Sequence, residues 1–208
     1  MIIKPTKRII AKLDIKNGQL IKGINLEGLR ILGDPYEFAK LYSNTGIDEI
    51  FYQDNVAALY GTNNLSIHIK NVAKKVRVPL SVGGGIRSIK DIENVLLSGA
   101  DKVCINSAVI KDIKFLKSAI KEFGSANISV LIESIKIKNE YYISYLNGRE
   151  LVNINPINWS KKIEDTGAGE IVLTSVNKEG LMNGFDNYLA DKIQKKNQNS
   201  SYSSWRRW

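Results

Sequence analysis

Two stretches of the sequence, DPYEFAKLYSNTGIDEIFYQD (34–54) and NPINWSKKIEDTGAGEIVLTS (155–175), repeat one pattern at an offset of 121 residues. The residues identical in both are Pro35/Pro156, Lys40/Lys161, Thr45/Thr166, Gly46/Gly167, Glu49/Glu170 and Ile50/Ile171. At the nearly equal offset of 119 residues, Asp14 aligns with Glu133, and each acid ends a predicted strand. The pattern indicates that the chain contains two related halves.

Short apolar runs alternate with helical patterns along the whole chain. Strands are predicted at 8–15, 49–54, 79–82, 102–106, 128–133 and 170–175, and helices at 35–45, 64–76, 88–98, 111–123 and 156–166, with a further helix from about Asp186. Residues 136–148 alternate enough to predict a small hairpin, and Ser88 with Asp91 predicts a capping box. Because four strand–helix units precede Ile128, the repeat predicts an α/β fold, a (β/α)8 TIM-type barrel of half-barrel repeats.

The last part of the chain does not continue this pattern. About six of the eight units are present, so we expect residues 1–193 to form an incomplete barrel and residues 194–208 to be a non-native or disordered basic tail. Read one base along, one permitted choice of codons for residues 197–208 encodes an apolar run followed by glycines. A reading-frame shift between about Ile193 and Asn197 is one hypothesis, and a natural disordered tail is the other.

Composition excludes several classes of protein. The chain has 208 residues, of which 43% are hydrophobic and 25% charged, which is typical of one soluble domain with a core. No apolar run reaches the roughly 18 residues of a membrane span, so no membrane association is predicted. We expect a cytoplasmic location. The net charge is +9, but five basic residues and one acidic residue in 187–208 account for +4 of it. Nucleic-acid binding is therefore not predicted.

The scarcity of two residue types restricts the chemistry. Cys104 is the single cysteine and His68 the single histidine, so no internal disulfide, serine–histidine site, metal site or cofactor is predicted. His68 falls in a predicted surface helix, where we expect it to be exposed. Acid–base chemistry is then left to carboxylates, lysines or tyrosines.

Polar residues follow several predicted strands, at the barrel end where such enzymes react. Asp14 and Glu133 are expected to face each other across the mouth as general acid and general base, the alternative being helix caps or solvated turns. Candidate phosphate-binding residues lie at the ends of three predicted strands or in the loops after them: Gly85, Asn106, Ser107, Thr174, Ser175 and Gly180. The alternative for the glycines is a tight turn before a helix. Lys22 could pair with a phosphate or with Asp14, or be an ordinary surface lysine.

Over about residues 7–186 the chain resembles a known family, the cyclase subunit of imidazole glycerol phosphate synthase. The resemblance is carried by KRIIAKLDIKNG (7–18), IKG (21–23), GDP (33–35), GIDEI (46–50), VGGGIRS (82–88), GADKVCINS (99–107), GAGEIVLTS (167–175) and EGLMNGFD (179–186). It implies a barrel partnered by a glutaminase, a glutamine amidotransferase subunit whose ammonia passes through the barrel. The implied reaction converts a phosphoribulosyl-formimino aminoimidazole carboxamide ribotide to imidazole glycerol phosphate and aminoimidazole carboxamide ribonucleotide, in histidine biosynthesis.

The resemblance also implies roles for individual residues. Asp14 and Glu133 match the catalytic pair, and Gly85, Asn106 and Ser107 match one substrate phosphate site. A charged gate to the ammonia path is implied for Arg8, Glu49, Lys102 and Glu170. The chain departs from the family at Glu133 and Glu179, where aspartates are usual, and at Lys12, where a small residue is usual. These departures leave one alternative, an ammonia-channelling partner of a sugar amidotransferase in surface polysaccharide biosynthesis. The missing barrel units leave another, an inactive fragment.

Overall fold

The computed structural model describes residues 7–60, 65–197 and 201–204, with strands and helices alternating along the chain. The strands are Ile10–Lys16 (β1), Gln19–Ile24 (β2), Glu27–Gly33 (β3), Glu49–Asp54 (β4), Leu80–Gly83 (β5), Lys102–Ile105 (β6), Ile128–Ile137 (β7), Glu140–Tyr145 (β8), Glu150–Val152 (β9), Glu170–Ser175 (β10) and Ser201–Ser204 (β11). The α-helices are Pro35–Asn44 (α1), Ala57–Tyr60 (α2), Leu65–Ala73 (α3), Ile89–Leu97 (α4), Ser107–Lys111 (α5), Ile113–Phe123 (α6), Pro156–Thr166 (α7) and Asn187–Lys196 (α8).

The strands form one sheet, ordered β11-β10-β7-β6-β5-β4-β1-β2-β3. From β11 to β1 every neighbouring pair is parallel, and the strands follow one another in chain order. The antiparallel additions are β2 and β3 beside β1, and β8 and β9 beside β7. Parallel strands in chain order, separated by helices, confirm the predicted α/β fold of the TIM-barrel type.

The sequence repeat corresponds to a structural repeat. Helix α1 and strand β4 occupy the first copy, and α7 and β10 the second, with both strands as predicted. Asp34 and Asn155 cap the two helices by accepting hydrogen bonds from backbone N–H groups of the first turn. The shared glycines Gly46 and Gly167 have φ of +87° and +100°, a conformation that disfavours other residues and that ends each helix.

Two antiparallel segments extend the sheet, one that the sequence left without strands and one that it predicted as a hairpin. Strands β2 and β3 form a hairpin after β1, joined to it through Asn17 and Gly18, whose φ values of +50° and +74° suit a tight turn. The predicted hairpin at 136–148 exists as the end of β7 and β8, and β9 adds a third strand to it.

The end of the chain has more regular structure than the sequence predicted. Helix α8 continues past Ile193 to Lys196, and Ser201–Ser204 pair in parallel with β10. The expectation that residues 194–208 form a non-native or disordered tail stays a prediction. The remaining tail positions, 198–200 and 205–208, lie outside the described residues, and the frame-shift hypothesis stays a prediction.

Apolar residues pack on both faces of the sheet. The larger cluster lies between the sheet and the surrounding helices and includes Ile50, Val103 and Ile163. The smaller cluster lies on the other face and consists of Phe51, Cys104, Leu131 and Val172, with Ile10 packed against it. Within the described ranges, no helix combines the length and hydropathy needed to cross a bilayer. The smaller cluster, on the inner face, organises the candidate site.

Candidate active site

The inner face of the sheet is divided into three levels along the strands. Because side chains alternate between faces, residues two positions apart on a strand share the inner face. We call the middle level the apolar layer: Phe51, Cys104, Leu131 and Val172. On the amino-terminal side of this layer lie Glu49, Lys102 and Glu170, and on its carboxyl-terminal side lie Gln53, Asn106, Glu133 and Thr174. The apolar layer therefore separates a charged level from a polar level.

The charged level is one ion-pair network. Arg8 Nη1 lies 2.8 Å from Glu49 Oε2, and Arg8 also pairs with Glu170. Lys102 Nζ lies 3.1 Å from both Glu49 Oε2 and Glu170 Oε1. Glu49 is buried and also accepts a hydrogen bond from the Ser81 hydroxyl at 2.5 Å. The structure thus brings together all four residues expected to form the gate, although their role in passing ammonia stays a prediction.

Asp14 lies near the end of β1 and is only 2% exposed. Lys12, two residues earlier on the same strand, places its Nζ 3.0 Å from Asp14 Oδ1. Lys22 was one predicted partner of Asp14, but in the structure Lys12 forms the ion pair with Asp14. Lys22 has a buried Nζ that makes no hydrogen bond to the described residues.

Glu133 lies on β7, in register with Thr174 of β10, and is 7% exposed. Its Oε2 accepts a hydrogen bond from the Gly148 N–H at 3.0 Å. Burial raises the pKa of Glu133 to about 7, against the lowering effects of the Gly148 hydrogen bond, the Lys12 charge and an Asn106 hydrogen bond. A carboxyl group with this pKa can give or take a proton near neutral pH.

A cavity of about 80 Å³ joins Glu133 to the first phosphate-binding candidates. Its lining includes Glu133, Gly85, Asn106 and Ser107. Gly85 has φ of +69°, so a side chain there would strain the turn that follows β5. The structure therefore places these three predicted residues beside one of the two candidate catalytic acids.

The other three phosphate-binding candidates have different surroundings. Thr174 is buried next to Glu133 in the sheet, and the Ser175 hydroxyl lies 3.3 Å from Asp186 Oδ2. Gly180 packs on backbone, since a Cβ there would lie 2.2 Å from the Gly23 carbonyl oxygen. As far as the described residues extend, none of the three lines the cavity at Glu133. Their assignment to a phosphate stays a prediction.

Sequence reasoning missed the turn that covers this end of the barrel. Asn147 Nδ2 donates to the Leu26 carbonyl at 3.1 Å, and the next residue, Gly148, donates its N–H to Glu133. Asn147 and Gly148 both have positive φ, at +60° and +80°. An Asn-Gly dipeptide between strands is a strong hairpin signal, and it could have located this turn.

The single histidine and the single cysteine lie in surroundings that do not suit catalysis. His68 is exposed on α3, as predicted, with its ring beside Gly18. Cys104 belongs to the apolar layer, and burial raises the pKa of its thiol to about 12. A thiol that stays protonated is a poor nucleophile, so Cys104 does not suit nucleophilic catalysis.

Comparison with known proteins identifies the family. The model of a family described as histidine biosynthesis protein matches residues 8–204. The chain belongs to this family. Relatives within it are named imidazole glycerol phosphate synthase subunit HisF, so the chain is a HisF-family member and its resemblance to the cyclase subunit is confirmed.

Three of these HisF proteins illustrate the extent of the similarity. The Legionella pneumophila protein is 45% identical over 187 residues, 89% of this chain and 88% of that protein. The Bacillus cereus (strain Q1) protein is 43% identical over 190 residues, 91% of this chain and 75% of its own length. The Sulfurisphaera tokodaii protein is 41% identical over 187 residues, 90% of this chain and 75% of its own. Each is named as one subunit of a synthase.

Proposed function

We propose that this HisF-family chain acts as the cyclase subunit of an imidazole glycerol phosphate synthase. With ammonia from a glutaminase partner, it would convert the phosphoribulosyl-formimino ribotide to imidazole glycerol phosphate and aminoimidazole carboxamide ribonucleotide in the cytoplasm. The observation that carries this proposal is the pair of buried carboxyl groups, Asp14 and Glu133, at the same end of the parallel sheet. Two such groups can act as acid and base on one bound substrate.

The proton chemistry of the reaction suits these two groups. Forming a C–N bond with ammonia requires a proton to leave the ammonia nitrogen, and breaking the substrate's C–N bond requires a proton on the leaving nitrogen. Glu133 has a pKa of about 7 and can exchange protons at neutral pH. Asp14, held beside Lys12, is the second group able to take part.

Recognition of a doubly phosphorylated substrate is supported at two places. Gly85, Asn106 and Ser107 surround the cavity beside Glu133 and offer hydrogen-bonding groups to one phosphate. The buried Lys22 Nζ makes no hydrogen bond within the described part of the chain. Because a buried cation is costly without an anionic partner, a substrate phosphate is a suitable ligand for Lys22.

The inner face also offers a route that suits ammonia. A neutral, small molecule crosses the apolar layer at little cost, whereas ammonium would lose its hydration there. The charged level of Arg8, Glu49, Lys102 and Glu170 lies at the opposite end of the barrel from Glu133. We therefore propose that the glutaminase subunit delivers ammonia at the charged level.

The test is turnover with an ammonium salt as nitrogen source, which removes the need for the glutaminase. Asp14→Asn keeps the shape of the side chain but removes the proton acceptor, and we expect turnover to fall by about 10²–10⁴-fold. Asp191→Asn, an exposed position on α8, is the matched control and should leave turnover unchanged. Turnover like that of the unmodified protein in Asp14→Asn would overturn the assignment.

One observation favours a second candidate function, in which the ammonia is used to aminate a different substrate. Glu133 carries one methylene more than an aspartate, and displacements of about 1 Å can cost roughly a hundredfold in rate, whereas the charged level is intact. A protein that conducts ammonia to a nucleotide sugar through a partner amidotransferase would have these properties. Failure to rescue a histidine auxotroph, together with glutaminase binding and sugar amination, would favour this alternative.

A further inference from the structure

Lys12 is a buried lysine on the inner face of the barrel. It is in register with Phe51 of the apolar layer, and its side chain is only 6% exposed. A lysine ammonium removed from water in this way is costly unless an anion compensates for it. The compensating group is Asp14, whose Oδ1 lies 3.0 Å from Lys12 Nζ.

The charge of Lys12 also acts across the barrel. This charge lowers the pKa of Glu133 on β7 and that of Cys104 on β6, so it acts on groups of at least two other strands. The charged and titratable groups around this end of the sheet include Lys12, Asp14 and Lys16 on β1, Lys22 on β2, Asp54 at the end of β4, Arg87 after β5, Cys104 on β6, Lys111 on α5, Glu133 on β7, and Glu179 and Asp186 after β10. Asp14 lies in direct ionic contact with Lys12.

The two candidate catalytic acids therefore differ in how their charge is compensated. Asp14 has an ammonium group in contact. Glu133 has the Gly148 N–H at 3.0 Å, and among the ion pairs of the described residues none involves Glu133. Carboxyl groups in environments this different take different protonation states, and that difference commonly divides the roles of base and acid.

We propose that Lys12 is a positioning residue that fixes Asp14 as a carboxylate, so that Asp14 enters turnover as the base and Glu133 as the acid. In this division the ammonia nitrogen replaces the leaving nitrogen on the formimino carbon. Asp14 takes a proton from the ammonia nitrogen as its bond to this carbon forms, and Glu133 gives its proton to the leaving nitrogen as the old C–N bond to the same carbon breaks, so one proton is taken and one is given. The roles of Asp14 and Glu133 in turnover rest on the proposed function. The effect of Lys12 on the charge of Asp14 does not depend on it.

The first measurement is made on the intact, substrate-free protein. The titration of Asp14 is followed by NMR of ¹³C-labelled carboxyl groups, with Asp14→Asn to assign the signal. Lys12→Met removes the cation while keeping an unbranched side chain, and we expect the midpoint of Asp14 protonation to move upward by about one pH unit or more. Lys90→Met, at a largely exposed lysine on α4, is the matched control and should leave that midpoint in place.

The second measurement is the pH dependence of turnover with ammonium salt. In Lys12→Met we expect kcat to fall at neutral pH and its acid limb to move toward higher pH, with a smaller change in KM. Lys12→Arg restores a cation, and it should retain the Asp14 titration of the unmodified protein even if Lys12→Met does not fold. An unchanged Asp14 midpoint in folded Lys12→Met, or a shifted one in folded Lys12→Arg, would overturn the proposal. Absence of turnover in the unmodified protein would overturn the proposed function, and the NMR titration would still decide the role of Lys12.

Discussion

At the scale of single residues, Glu133 links protonation to folding. Its pKa is raised from 4.5 to about 7 because the folded protein buries it. Between these pH values the folded chain binds a proton that the unfolded chain has released, so stability falls as the pH rises. The stabilisation is fully present below pH 4.5 and is lost as the pH passes 7.

The first prediction concerns this pH dependence. Glu133→Gln removes the titrating group, so the free energy of unfolding of the unmodified protein should fall relative to that of the variant between pH 4.5 and 7. The expected fall is on the order of 3 kcal/mol. Urea unfolding at both pH values measures it, with the exposed Glu150→Gln as a control that should track the unmodified protein. Parallel curves for all three proteins would contradict the prediction.

Sequence reasoning located acidic residues better than their partners. Asp14 and Glu133 could be predicted because each ends a predicted strand in a repeated half, although the observed strands continue beyond them. The cation beside Asp14 could not be predicted, because Lys12 and Lys22 lie on either side of Asp14 in the sequence. Only the orientation of each side chain in the fold decides which ammonium group reaches the carboxylate. The contacts of the turn at Asn147 and Gly148 could not be predicted, because their partners, Leu26 and Glu133, are distant in sequence.

At the scale of secondary-structure elements, short local signals were the most informative. The predicted capping box of α4 is confirmed, with the Ser88 hydroxyl accepting from the Asp91 N–H and the Asp91 carboxylate accepting from the Ser88 N–H. In contrast, β3 was missed because its residues are mostly exposed on both faces. An exposed strand lacks the alternation of apolar and polar residues by which strands are recognised.

The second prediction tests the cap of α4. Ser88→Ala should lower the free energy of unfolding by about 1 kcal/mol, because the backbone N–H of Asp91 loses its partner. Ser118→Ala is the matched control on α6, where an exposed serine lies within a helix and alanine has the higher helix propensity. Chemical denaturation of both variants makes the comparison, and equal losses of stability would contradict the prediction.

At the scale of the whole molecule, contacts between loops join the two halves. The Asn25 N–H donates to the Glu179 carbonyl at 2.8 Å, and Gly180 packs directly on the Gly23 backbone. Asn147 adds its hydrogen bond to Leu26 at the same end of the barrel. The repeat predicted that two halves exist, but it contained no information on which loops meet, because these loops lie outside the repeated stretches.

The third prediction tests this junction. Gly180→Ala would place a Cβ 2.2 Å from the Gly23 carbonyl oxygen, whereas a Cβ at Gly184 meets nothing within 4 Å. Both glycines have positive φ, +78° and +88°, so the strain of adding a side chain is shared and the difference isolates the clash. Gly180→Ala should lower the free energy of unfolding by about 1–3 kcal/mol more than Gly184→Ala does. Similar values from thermal or urea denaturation would show that the loops move apart freely.

The charged level has a consequence for the order of folding. Arg8 is separated from Glu49 by 41 residues and from Glu170 by 162, so the network is complete only after the first and the sixth parallel strands have met. Contacts that close such long loops form late, because the loss of chain entropy precedes their gain. Interactions absent from the transition state act on the rate of unfolding. We therefore expect the four charges to slow the unfolding of the barrel and to leave its rate of folding nearly unchanged.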